Sequence, residues 1–256
     1  MKYSPKFFYQ GLPSWKRKKD PVLSKIFYRP FSFVCASFCA NMGISANTVS
    51  YASVLVALIG SALFLCQSYA MHVAGAVLFN VWLLMDCTDG NLARCVKKQP
   101  FGEFADSMSS YVLVGLMGAP MGIAAYYDGG VLVGAGCSWL ILLGALASSS
   151  DSLMRLIYQK YKNIERKMAD MGVVEVGYDQ RNDNSQVGSF QVRVENELGI
   201  GGILPFAILM AAIFKALDVV IIYCFLYYGA SFLLSVIMLS RKAIISAKEN
   251  GGKMPQ

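Results

Sequence analysis

Asp86, Asp89 and Asp106 are carboxylates gathered in one stretch of a chain that otherwise avoids charge. Asp86 and Asp89 are three residues apart, so on a helix they share a face and differ in height by only about 4.5 Å. Together they can grip one cation. Asp106 follows a short polar turn, Lys97, Lys98, Gln99 and Pro100, which lets two antiparallel helices bring the three carboxylates to similar depth. Oxygen-only ligands select a hard cation, Mg²⁺ or Mn²⁺, and magnesium is usually completed by water and substrate phosphates. A diphosphate site is therefore the chemistry this spacing suggests. Gly90 and Ala93 leave the face beside Asp89 bare, so a flat ring or a phosphate can approach the backbone, and Arg94 adds a bidentate phosphate donor. The structural alternative is that the aspartates pair with Arg94, Arg155 or Lys97 and only hold helices together.

The elements that must position these residues are membrane helices. Of 256 residues, 55% are hydrophobic and only 15% charged, and the mean hydropathy is +0.47, far too apolar for an ordinary soluble domain. The expected fold class is an all-α membrane protein of six transmembrane helices with an N-terminal amphipathic interfacial helix. A formal charge of +7 then reads first as an orientation signal, and nucleic acid is not needed to explain it. Seven scattered cysteines without a CxxC, and a single histidine, His72, leave zinc no ligand set and argue against a disulfide framework. The N-terminus is basic and aromatic, unlike a cleavable signal peptide.

Residues 1 to 45 read as a basic tail and amphipathic juxtamembrane helix. Asp20 and Pro21 resemble a cap and first position, and Leu23, Ile26, Phe27, Phe31, Val34 and Phe38 follow at helical spacing over 21 to 41. Such a helix lies along the membrane surface or packs on the bundle. Residues 46 to 250 form the transmembrane catalytic domain, with spans near 48 to 69, 73 to 94, 104 to 126, 131 to 161, 199 to 214 (kinked at Pro205) and 219 to 239. Residues 162 to 197 are the one long polar segment, and 251 to 256 read as a disordered tail.

The basic residues gather in the tail, the 94 to 98 turn, the 155 to 193 segment and the C-terminus, whereas the loops on the other side hold one lysine, Lys215. The positive-inside rule then places both termini and the aspartates on the cytoplasmic side.

Asp86, Asp89, Gly90, Ala93 and Arg94, then seven residues, then Gly102 and Asp106, together resemble the signature of the CDP-alcohol phosphotransferase (CDP-alcohol phosphatidyltransferase) family. Asn47 and Thr48 at the start of the first span resemble its element near the cytidine site. The resemblance implies six membrane helices, a homodimer, and two Mg²⁺ or Mn²⁺ ions held by Asp86, Asp89 and Asp106. Asn47, Thr48, Asp89, Gly90, Ala93, Arg94 and Gly102 would bind the nucleotide. An acceptor hydroxyl would attack the phosphorus bearing the alcohol of a CDP-alcohol and expel CMP. The expected setting is phospholipid or surface-glycan lipid biosynthesis in a bacterial inner (plasma) membrane, with a lipid or polar acceptor.

The family pattern ends on a fourth aspartate, the base for the acceptor, and here that position is Ser110. Either Glu103, one turn before Asp106, supplies the missing carboxylate, or the acceptor is an already ionised phosphate, or the chain binds CDP-alcohol or lipid without turnover. Ser148, Ser150, Asp151 and Arg155, with Arg193, Glu195 and Asn196 further on, are candidates for holding the acceptor head group, or else form a polar network between helices. A prenyl-diphosphate transferase would want a second aspartate-rich motif, and a transporter would carry polar residues across the bilayer.

Overall fold

The computed structural model of the chain describes residues 2–175 and 196–251. In order, the helices are α1 (Pro5–Gly11), α2 (Ser14–Lys19), a π-helical turn (Ser24–Tyr28) that continues into α3 (Arg29–Asn41), α4 (Ala46–Leu63), α5 (Tyr69–Cys95), α6 (Gly102–Asp128), α7 (Trp139–Asp170), α8 (Leu204–Ile213) and α9 (Leu217–Asn250). No strand occurs among the described residues. Helices α4, α5, α6, α7 and α9 are each long and apolar enough to cross a bilayer, so the chain is an all-α, multi-pass membrane protein.

The expected fifth span is shorter than its apolar stretch. Helix α8 has ten residues, about 15 Å at 1.5 Å per residue. Gly201 and Gly202 lie in the turn before it. Pro205 does not kink the helix but sits in its first turn, where the missing N–H is no loss.

Buried aromatic and aliphatic side chains fill the centre of the bundle, among them Trp82, Phe64, Phe79, Met117, Leu140 and Ile208. Helices α6 and α7 meet through glycine: a Cβ on Gly118 would lie 2.1 Å from the Gly144 carbonyl oxygen, and one on Gly144 would lie 2.2 Å from that of Gly118. Such small-residue contacts let membrane helices approach at backbone distance. Ser148 ties the same crossing, donating to the Val114 carbonyl at 2.6 Å and accepting from the Gly118 amide at 3.0 Å. It is thus part of the interhelical network.

The juxtamembrane helix packs on the bundle, one of the two placements the sequence allowed. Its inner face, with Ser24, Arg29, Ser32, Phe33 and Ser37 buried, packs on α5. Its outer face leaves Ile26, Phe27, Phe31, Val34 and Phe38 more than half exposed, an apolar stripe facing outward as a helix at a membrane surface requires. Asp20 is not its cap. The Val22 amide is instead capped by the Glu197 carboxylate, at 3.0 Å from both oxygens, because the Asp20 carboxylate is engaged by Arg29.

His72 is fully buried at the start of α5. Its Nδ1 lies 2.6 Å from Asp128 Oδ2, its Nε2 faces the Cys66 carbonyl, and its ring stacks on Phe64.

Candidate active site

The last three turns of α5 and the first two turns of α6 bring the predicted carboxylates together. One oxygen each from Asp86, Asp89 and Asp106 all lie within 4.8 Å of one another. Three anionic ligand groups at that separation repel one another unless a cation sits between them. Among the described residues, no Lys, Arg or His forms an ion pair with any of the three. Arg155 pairs with Asp151, and Arg94 donates to Asn91 Oδ1 at 3.2 Å. The alternative of aspartates neutralised by Arg94, Arg155 or Lys97 therefore has no support in the geometry. The donor set, three carboxylates and no sulfur or imidazole, fits a hard divalent cation.

Helix α4 supplies support that the spacing of the aspartates does not reveal. Ser50 Oγ donates to Asp89 Oδ2 at 2.6 Å. One turn on, Ser53 and Ser109 join their hydroxyls across to α6, and Trp82 Nε1 donates to Ser109 at 2.7 Å. The signal for Ser50 was present in its place three residues after Asn47, on the same helix face.

Asn47 lies beside the α5 to α6 turn. Its Nδ2 donates to the Pro100 carbonyl at 2.9 Å, and its backbone amide to Gln99 Oε1 at 3.3 Å. Its Oδ1 is buried without a hydrogen-bond partner among the described residues, and a Cβ on Gly102 would lie 3.3 Å from it. An orphaned acceptor of this kind is costly unless a donor arrives. Thr48 is less directed to the site: its hydroxyl and amide both engage Ser45, the residue that caps α4.

Gly90 gives Arg94 its path. A Cβ there would lie 2.9 Å from Arg94 Nη2, so the guanidinium folds back over the bare face of α5. Ala93 packs on the apolar cluster of Phe8, Leu12, Phe33 and Leu92. Glu103 is exposed in the first turn of α6 and is not one of the three clustered carboxylates. Ser110 Oγ donates back to the Ser107 carbonyl at 3.0 Å.

Of the acceptor candidates, Asp151 is buried and ion-paired with Arg155, whose guanidinium lies over the Tyr111 ring at 5.1 Å. That contact carries Arg155 to the residue next to Ser110. Ser150 is half-buried on the same helix. Arg193 and Glu195 lie outside the described residues.

Residues 43–177, over half of the chain, match the family model for CDP-alcohol phosphatidyltransferase. The chain belongs to this family. No curated protein matches it. The family is one of transferases of phosphoalcohol groups in lipid synthesis that generally depend on a divalent metal. The match covers α4 to α7, hence every aspartate of the cluster, but not the N-terminal segment or α9.

Proposed function

We propose that the protein transfers a phospho-alcohol group from a CDP-alcohol donor to a hydroxyl or phosphate acceptor, releasing CMP, in phospholipid or surface-glycan lipid biosynthesis. The observation that carries this reading is the convergence of the Asp86, Asp89 and Asp106 oxygens within 4.8 Å, without an ion pair to any Lys, Arg or His among the described residues, inside the stretch that defines the family. Those three residues would hold Mg²⁺ or Mn²⁺, two ions per site. When bound, the ions supply charge neutralisation of the diphosphate as CMP leaves. Ser50 fixes the Asp89 carboxylate. Asn47 Oδ1 offers an acceptor to a donor group of the nucleotide, and Gly90, Ala93, Arg94, Gly102 and Thr48 shape the surface against which it lies. The acceptor oxygen attacks the phosphorus that bears the alcohol, and the bond from that phosphorus to the bridging oxygen of CMP breaks.

Asp151 orients Arg155 toward the acceptor side, with Ser150 on the same helix and Arg193 in the following segment. Glu103 takes the acceptor proton where the acceptor is a hydroxyl; an acceptor phosphate needs no base. The active site and both termini face the cytoplasm of a bacterial inner membrane, and the protein works as a homodimer.

The test offers purified protein a panel of CDP-alcohols with Mg²⁺ or Mn²⁺ and lipid extract, and measures CMP release. Metal-dependent CMP release with one donor is expected. The Ser110 hydroxyl, bonded back to its own helix, favours a second reading, binding without turnover. No CMP with any donor, while CDP still raises the melting temperature, would select it.

A further inference from the structure

The run of basic residues at 16 to 19 is not uniform. Arg17 is held within the N-terminal segment, donating to the carbonyls of Leu12 and Tyr9 and lying over the Tyr9 ring. Lys19 sits over the Trp15 ring at 5.8 Å, and Lys18 is exposed. Lys16 turns inward, its Nζ 3.2 Å from Asp20 Oδ1.

Asp20 is 3% exposed and is the hub of a buried relay. Arg29 grips it with Nε at 2.7 Å and Nη2 at 2.9 Å. The remaining guanidinium nitrogen, Nη1, donates to the Cys87 carbonyl at 3.4 Å and to Asn91 Oδ1 at 3.3 Å. Cys87 and Asn91 flank Asp89 on α5, so the relay is bolted to the turn that carries the carboxylates. Apolar packing fixes the same placement: Phe8 and Leu12 share a buried cluster with Leu92 of α5 and with Ala46 and Val49 of α4. The relay from Lys16 through Asp20 and Arg29 ends on Asn91 Oδ1, which also accepts from the Arg94 guanidinium at 3.2 Å. Arg29 has all three nitrogens engaged, whereas Lys16 is a partly exposed ammonium with three donors and one ion-pair partner, Asp20.

We infer that Lys16 is a diphosphate-binding residue, delivered to the carboxylate site by the N-terminal segment and aimed there by the positioning residues Asp20 and Arg29. The inference rests on the proposed nucleotide function and adds a ligand contact from outside the family-defining stretch. A flexible ammonium tied through Asp20 and Arg29 to the turn that carries the carboxylates suits an anion that those carboxylates bind only through cations. A lysine acts on phosphate as a point charge that adjusts its position as the group moves.

The test measures CDP binding by calorimetry with Mg²⁺ on the full-length protein in detergent. Lys16→Gln keeps a hydrogen bond to Asp20 but removes the charge, and is expected to weaken CDP binding roughly 10-fold or more with no change in the melting temperature of the ligand-free protein. Lys16→Arg is expected to recover most of the affinity, and Lys18→Gln, which removes the same charge from the same short helix, to bind as wild type. Binding by Lys16→Gln within twofold of wild type would overturn the inference and leave the nucleotide reading standing. Equal losses in Lys16→Gln and Lys16→Arg, with a lowered melting temperature, would make Lys16 a structural partner of Asp20 and overturn it too. Wild-type protein that neither binds CDP nor releases CMP would overturn both.

Discussion

The two ends of helix α5 bury polar groups in opposite ways. At its start, His72 has an acceptor at each ring nitrogen, Asp128 and the Cys66 carbonyl. Nearby in the fold, the fully buried Asp218 of α9 accepts from three successive amides, Val131 at 3.2 Å, Leu132 at 2.6 Å and Val133 at 3.0 Å. Gly130 is required there, since a Cβ would lie 2.0 Å from the Asp218 carboxyl carbon. At the far end of α5, three carboxylates face one another with Ser50 donating to one of them, and Asn47 Oδ1 has no hydrogen-bond partner among the described residues. Charge satisfied internally builds structure, as at Asp218. Charge left facing other charge needs something from outside.

Substitutions should separate the two ends. Asp89→Asn is expected to cut CMP release by roughly 10³-fold or more without lowering the melting temperature of the ligand-free protein, because it relieves repulsion. Asp218→Ala is expected to do the reverse, costing about 3 kcal/mol or more by orphaning three amides, visible as a lower melting temperature, with near-normal turnover in the surviving fold. A destabilised Asp89→Asn would break the comparison.

Within the carboxylate end, Glu103→Gln is expected to abolish turnover with a hydroxyl acceptor while CDP binding stays intact; unchanged activity would remove Glu103 from the reaction. Ser50→Ala should weaken Mg²⁺ affinity by roughly 10- to 100-fold, the usual cost of losing a group that orients a ligand, as read by metal titration of CDP binding.

Much of the carboxylate end was legible in the sequence because its parts are local. Asp86 and Asp89 share a helix face by spacing, and a turn of a few residues dictates that Asp106 folds back beside them. The juxtamembrane stripe of Phe27, Phe31, Val34 and Phe38 was legible for the same reason. Ser50 and Arg29 were not, since each joins the site by a contact between distant segments, Ser50 with Asp89 and Arg29 with Asn91, and Lys16 and Asp20 are linked to it only through Arg29. Periodicity also overstated the span at 199 to 214, because composition there is apolar throughout while the glycines before Pro205 delay the helix to Leu204. Asp20 was misassigned as a cap because a capping residue and an ion-pair partner look alike until the partner's place is known.

The smallest expected effect is that of pH on the relay. Burial pushes the Asp20 carboxyl up, but the hydrogen bonds and charges of Arg29 and Lys16 outweigh it and hold it below the ordinary 3.8. A depressed carboxylate contributes stability that is complete above the unfolded value and is lost only as pH falls through the folded one. Asp20 is therefore expected to add no pH dependence to stability or to CDP affinity between about pH 5 and 8, and Asp20→Asn should flatten only the part of the melting-temperature profile that lies below 3.8.

The central assignment, a metal-bound nucleotide at the Asp86, Asp89 and Asp106 cluster, is tested most directly by CDP calorimetry with and without Mg²⁺, on wild type and Asp86→Asn. The expected result is binding by wild type only with the cation, and none by Asp86→Asn. Binding of equal strength without the cation, or undiminished by Asp86→Asn, would contradict it.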